Sequence, residues 1–230
     1  MCWSPSHEEA RAWLLAEMRA AGLETWVDPA GNVFGATGIR AIRPETPVVL
    51  TGSHIDTVPE GGILDGALGV LAGLECLHAI QETRTSHAKP LVVAAWSDEE
   101  GRYGSLFGSR AFCGMLDGAK LDEMAAVDGA RLVDAMAGAG FDAHRAPEAR
   151  VPAGAVAAYW SCISSRALGL EEAGIPIGVV ETDRRRAPLA RDLPGPGRPR
   201  RHHADGSPAR RIPGLGRLRA ARARPRRRAR

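Results

Sequence analysis

The sequence predicts an α/β fold, a central β-sheet flanked by helices, followed by a disordered basic tail. Three observations carry this. Short runs of β-branched and small apolar residues alternate with stretches of helical apolar spacing, the pattern of a layered α/β protein. Two polar clusters, Gly52-Ser53-His54-Ile55-Asp56-Thr57-Val58 and Ser97-Asp98-Glu99-Glu100-Gly101, each directly follow a strand-like run, where such sheets place their ligands. The composition then changes abruptly after Val180.

Taken in order, Ser6-His7-Glu8-Glu9 reads as a capping box, with Ser6 as N-cap and Glu9 three residues on. The helix it opens sets Ala10, Trp13, Leu14, Met18 and Ala21 on one face and ends at Gly22. Short strands are expected over 24–28 and 32–36, around a Pro29-Ala30-Gly31-Asn32 turn. An apolar run at 47–50 leads into the histidine cluster. A second helix is expected over 65–81, with Leu68, Leu71, Ala72, Cys76 and Ile80 as its buried stripe. The valine- and alanine-rich run 89–96 feeds the double-glutamate cluster, and 104–114 reads as a loop entering a short helix. Residues 115–150 read as helix and loop without a chemical signal, and there is no internal repeat.

At 230 residues, 44% of them hydrophobic but only 5% aromatic, the chain can build a core that must be mostly aliphatic. No apolar run is long enough to cross a bilayer, and Met1-Cys2-Trp3-Ser4-Pro5 lacks the basic start and apolar stretch of a secretory signal. Four scattered cysteines, with no CxxC pair, fit a reducing cytoplasm and argue against a disulfide framework or a thiolate zinc site. The net charge of +3 averages two unlike parts. Residues 181–230 hold 17 arginines against 4 acidic residues, a charge of +13, which leaves the rest at −10. The tail cannot bury enough surface to offset ordering at roughly 1–2 kcal/mol per residue, so disorder is expected. Its arginines would give incidental, salt-sensitive nucleic-acid binding, but they have no interleaved aromatic residues or binding fold.

The chemistry lies in the two clusters. His54 can ligate a divalent metal through a neutral ring nitrogen, with Asp56 placed to hold the other ring N–H. Asp65, in the glycine-flanked turn Gly61-Gly62-Ile63-Leu64-Asp65-Gly66, can enter the same site from a helix head and bridge two metals roughly 3.5–4 Å apart. Of the adjacent Glu99 and Glu100, one can ligate while the other moves a proton between water and a leaving nitrogen. Several carboxylates in one pocket would repel, and two divalent cations remove that conflict. The oxygen and nitrogen donors suit Zn, Mn or Co without choosing among them. His7, His78, His87 and His144 have no partner pattern and read as surface or structural. Gly108-Ser109-Arg110 reads equally as an anion site or a helix-entry turn.

The blocks GSHIDTVPEGGILDGALGVLAGLE and WSDEEGRYGSLFGSRAFCG resemble the signatures of the zinc-dependent amidohydrolases that include N-carbamoyl-L-amino-acid hydrolase and allantoate amidohydrolase, relatives of aminoacylases and dimetal carboxypeptidases. The similarity spans roughly residues 3–180, within a partial catalytic domain over 1–180. It implies His54, Asp65 and Glu100 as ligands to two divalent ions, with Asp65 bridging. It also implies Glu99 as general base, Asp56 orienting His54, and a small carbamoyl or ureido substrate. The family further has a lid and dimerisation domain, so the resemblance implies a homodimer whose dimerisation part this chain lacks.

One stretch departs from the family. Its pattern next calls for Tyr-Val-Glu-Leu-His-Ile-Glu-Gln-Gly-Pro, whose histidine is a further ligand, where this chain has Tyr159-Trp160-Ser161-Cys162-Ile163-Ser164-Ser165-Arg166-Ala167-Leu168. Reading frame relates the two. TAC GTG GAG CTG CAT ATC GAG CAG GGC CC encodes the first, and deleting the first G of GTG gives Tyr-Trp-Ser-Cys-Ile-Ser-Ser-Arg-Ala. The family pattern resumes over 171–180. The tail string 197–206, shifted by one base, can read Ala-Asp-His-Ala-Gly-Thr-Thr-Pro-Met, which resembles a lid motif of the same family. Residues 160–169 and 181–230 are therefore expected to be frameshift products, leaving an incomplete site. Genomic DNA without single-base changes near these codons would refute this.

Overall fold

A computed structural model of the protein describes residues 1–163 and 169–179, so the tail and half of the stretch 160–169 expected to be out of frame lie outside the described residues. The chain forms two units, Met1–Ser164 and Ser165–Arg230. In the second, a single turn of helix, α5 (Gly169–Glu172), is followed by a bend in which Ile175 N–H donates to the Leu170 carbonyl at 2.9 Å.

The first unit is a five-stranded mixed sheet with helices on both faces, as the alternating pattern predicted. Its strands are β1 (Glu24–Val27), β2 (Val33–Ala36), β3 (Val48–His54), β4 (Leu91–Trp96) and β5 (Val156–Trp160), in the order β1-β2-β4-β3-β5. β1 and β2 form an antiparallel hairpin, and β2 runs antiparallel to β4. β3 is parallel to β4 and to β5. α2 (Ala67–Glu82) makes the crossover that two neighbouring parallel strands require. β5, a strand the sequence pattern did not reveal, lies at one edge with its last four residues exposed.

Alternation along β4 builds two cores. Val92, Ala94 and Trp96 join Phe34, Leu50 and Phe112 on one face. Val93 and Ala95 join Leu14, Met18, Val70 and Leu77 on the other, so α1 (Pro5–Ala20) and α2 cover the same side. A third cluster gathers Trp3 from the N-terminal turn and Tyr103 from the loop after β4 with Phe107, Leu121, Leu132 and Met136 from α3 (Phe107–Phe112), α4 (Leu132–Gly138) and a 3-10 turn between them.

Three local expectations are corrected. α1 starts two residues earlier than the capping box implied. Ser4 is the N-cap and accepts the His7 N–H at 3.3 Å, because Pro5 fits the first helical position, where no N–H is needed. Trp13 is 51% exposed, while His7 and Arg11 are buried: the Arg11 guanidinium lies 4.6 Å over the Trp3 ring and 4.9 Å over Phe141. On α2 Leu68 and Leu71 are exposed, and Gly69, Val70, Gly73 and Leu77 face the sheet. A Cβ on Gly69 would stand 2.6 Å from Ser53 Cβ and one on Gly73 would stand 3.0 Å from Thr51, so glycine lets this helix lie closer to β3 than a leucine face allows.

Candidate metal centre

His54 is the last residue of β3, level with Trp96 at the end of β4, and Ser97–Gly101 leaves the sheet beside it. The imidazole is buried. Its Nδ1 lies 2.9 Å from the Asp56 carbonyl oxygen and 3.5 Å from Asp56 Oδ1. A carbonyl only accepts, so Nδ1 carries the proton and Nε2 turns toward Glu99 Oε2, 3.3 Å away. The buried Asp56 carboxylate also accepts the N–H of Glu99 at 3.3 Å and of Glu100 at 3.2 Å. Asp56 thus ties the ends of both strands together. One ligand atom from each of His54, Glu99 and Glu100 falls within 4.8 Å of the others.

Asp65 is half-buried in the turn that opens α2 and stands outside that group of three, although its charge reaches Glu99. Its neighbour Gly66 is pressed onto the histidine. At φ +71° a Cβ there would come within 2.4–2.5 Å of three imidazole ring atoms. Gly66→Ala is therefore expected to tilt the His54 ring and to destabilise the fold by about 1–3 kcal/mol, from left-handed strain plus overpacking. Urea unfolding and the His54 ring resonances would register both effects.

The site is rich in negative charge. For Glu99, burial raises the carboxyl pKa most, His54 opposes it, and Glu100, Asp56 and Asp65 raise it further. For His54, burial disfavours the charged ring, but the hydrogen bond and charge of Asp56, with the charge of Glu99, outweigh it and push the ring up to about 9. For Asp56, burial works against ionisation, yet His54 and the Glu100 N–H hold it below the usual carboxylate range. Four carboxylates around one imidazole concentrate negative charge that divalent cations would offset.

Sequence reasoning found His54, Asp56, Glu99 and Glu100, and the fold brings these four together. It missed their support. Asn32, fully buried, accepts the Ser97 N–H at 2.9 Å and donates to the Gly108 carbonyl at 3.1 Å and to Asp28 Oδ2 at 2.8 Å. Ser97 Oγ donates to the Ala30 carbonyl at 2.6 Å. The β1–β2 turn thus anchors both ends of the loop that carries Glu99 and Glu100. Asn32 followed a turn-like Pro-Ala-Gly and gave no sign of reaching a residue 65 positions away. Among the other histidines, His7 is buried beside Glu8, His78 and His144 make exposed pairs with Glu82 and Asp122, and His87 meets the Lys89 carbonyl. Ser109 and Arg110 sit within α3, where Arg110 donates to the Met115 carbonyl.

An imidazole and several carboxylates gather at the C-terminal ends of neighbouring parallel strands, where α/β sheets place their ligands. Residues 32–147 match peptidase family M28, and the chain belongs to that family. Over 183 residues it is 39% identical to the N-carbamoyl-L-amino acid amidohydrolase of Geobacillus stearothermophilus, covering 78% of this chain and 44% of that relative. It is 35% identical over 185 residues to the allantoate amidohydrolase of Escherichia coli K12, covering 78% and 43%. Among solved structures, a hydantoinase/carbamoylase family amidase from Burkholderia phymatum superposes with a TM-score of 0.67 at 36% identity, over 76% of this chain and 41% of that one. The amidohydrolase resemblance and the α/β fold expected from the sequence are both borne out. The chain spans less than half the length of these curated relatives. Among the described residues no helix is long and apolar enough to cross a membrane.

Proposed function

We propose that this chain carries the divalent-metal half of a carbamoylase-type amidohydrolase site. His54, Asp65 and Glu100 are the ligands, Glu99 is the proton carrier, and Asp56 orients His54. The observation that supports this most is the convergence of His54, Glu99 and Glu100 within 4.8 Å around a ring whose Nδ1 proton is already committed to Asp56. That leaves Nε2 as the donor atom facing the carboxylates. Zn, Mn or Co bound there would supply a Lewis acid. Glu99, its pKa raised, is suited to take a proton from water and return it to the departing nitrogen.

The reaction class is hydrolysis of the C–N bond of an N-carbamoyl-L-amino acid. Similarity to the Geobacillus stearothermophilus enzyme favours it over allantoate, the substrate named for the Escherichia coli relative. The four cysteines are free, which supports a reducing cytoplasm. The residues expected to be out of frame support a chain that holds metal but turns over little substrate. Purified protein loaded with Mn or Zn should bind metal and show little or no hydrolysis of N-carbamoyl-L-amino acids or allantoate. Failure to bind metal overturns the site, and efficient turnover overturns the reading of a defective copy.

A further inference from the structure

Asp98 immediately precedes Glu99, yet it stands outside the converging group of His54, Glu99 and Glu100 and is fully buried. Its Oδ1 accepts the N–H of Arg102 at 2.8 Å, and its Oδ2 accepts those of Tyr103 and Gly104, both at 3.0 Å. Its own carbonyl accepts the Phe107 N–H at 3.2 Å, and its N–H meets Cys2 Sγ at 3.2 Å. The backbone at Asp98 is left-handed, with φ +48°. Residues 98–104 form no helix or strand, so these three amides have no ladder to join. One carboxylate satisfies all three and closes the loop on itself. Closed this way, the loop turns the N–H groups of Glu99 and Glu100 onto Asp56 and brings their side chains to His54.

We infer that Asp98 is a positioning residue of this centre: its carboxylate gathers the amides of Arg102, Tyr103 and Gly104 and thereby fixes the turn that presents Glu99 and Glu100. The relevance to metal binding rests on the function proposed above, whereas the role in fixing the turn does not. The side-chain requirement is narrow. Asparagine matches the shape and tolerates the left-handed backbone, but it turns an NH2 group toward amides that need an acceptor. Serine offers one oxygen, and glutamate is a methylene too long for a turn this tight. Glycine relieves the backbone and supplies no acceptor.

The test uses the full chain with Asp98→Asn and Asp98→Gly. Amide hydrogen exchange is followed by NMR without metal, and Co(II) is titrated by its visible absorption. Exchange at Glu99 and Glu100 should quicken at least tenfold in both variants, while Val93 and Ala94 in β4 stay within twofold of the parent. Co(II) should bind at least tenfold more weakly, with an altered spectrum. A residue that merely carried backbone strain would leave D98G as well ordered as the parent. Glu99 and Glu100 amides protected to within twofold in both variants would overturn the inference, as would failure of both variants to fold. If the parent binds no Co(II), the proposed metal function fails and the exchange data still decide the role of Asp98.

Discussion

Replacing His54 by alanine is expected to weaken binding of Zn, Mn or Co by at least a hundredfold, as read by calorimetry or Co(II) absorption. Among the described residues His54 is the one imidazole in the converging group, and the remaining donors are carboxylates. Losing a partner that merely orients a ligand costs about 10–100-fold in affinity, and losing the ligand itself costs more. The same ring sets the pH dependence. Metal takes the neutral imidazole, whereas the metal-free ring stays protonated up to about 9. Apparent affinity should therefore fall about tenfold for each pH unit below about 9, and H54A should lose most of that slope. The stability of the metal-free fold runs the other way. The contacts of the charged ring contribute fully below 6.5, the ordinary value, and are lost as pH rises through about 9. Metal uptake thus strengthens over the pH range in which the metal-free protein loses this contribution. A pH-independent affinity between 7 and 9 would mean that the proton on His54 does not compete with metal.

What was legible in the sequence had local causes. His54 and the Glu99–Glu100 pair could be found because each cluster directly follows a strand. A parallel ladder that pairs His54 with Trp96 carries both clusters to the same end of the sheet. What was not legible depended on partners distant in the chain. The α2 stripe was assigned by side-chain size, but Gly69 and Gly73 choose the inner face because Ser53, Thr51 and Val93 lie so close. Arg11 lies inside because Trp3 and Phe141, from opposite ends of the unit, offer it two rings. Asn32 and Asp98 are polar residues in loops, and a linear reading assigns such residues to solvent. Their value lies in buried amides and carbonyls that appear only once the β1–β2 turn, the residues around Cys2 and the loop after β4 pack together. Supporting residues of this kind carry no spacing signature, whereas the groups that face the proposed metal do.

The second large effect is a gain. β5 runs parallel to β3 in a register that sets Trp160 level with Thr51. β5 ends at Trp160, and continuing its register by three residues would bring position 163 level with His54. Codon reasoning places a histidine at that same position, because a frame restored after Tyr159 reads Val-Glu-Leu-His. The two lines have different sources, since the register comes from the pairing of β3 with β5 and the codon shift from the family pattern. Ile163 itself is 66% exposed, so the side chain there gives up little packing when replaced. Ile163→His is expected to tighten Co(II) binding at least tenfold. Replacing residues 160–168 by Val-Glu-Leu-His-Ile-Glu-Gln-Gly-Pro is expected to tighten it further and to raise the number of ions bound per chain. The gain must require His54, so adding H54A to I163H should remove it. A surface histidine that collected metal by itself would keep the gain in that double variant. An I163H protein that binds Co(II) no better than the parent would show that position 163 does not face the centre.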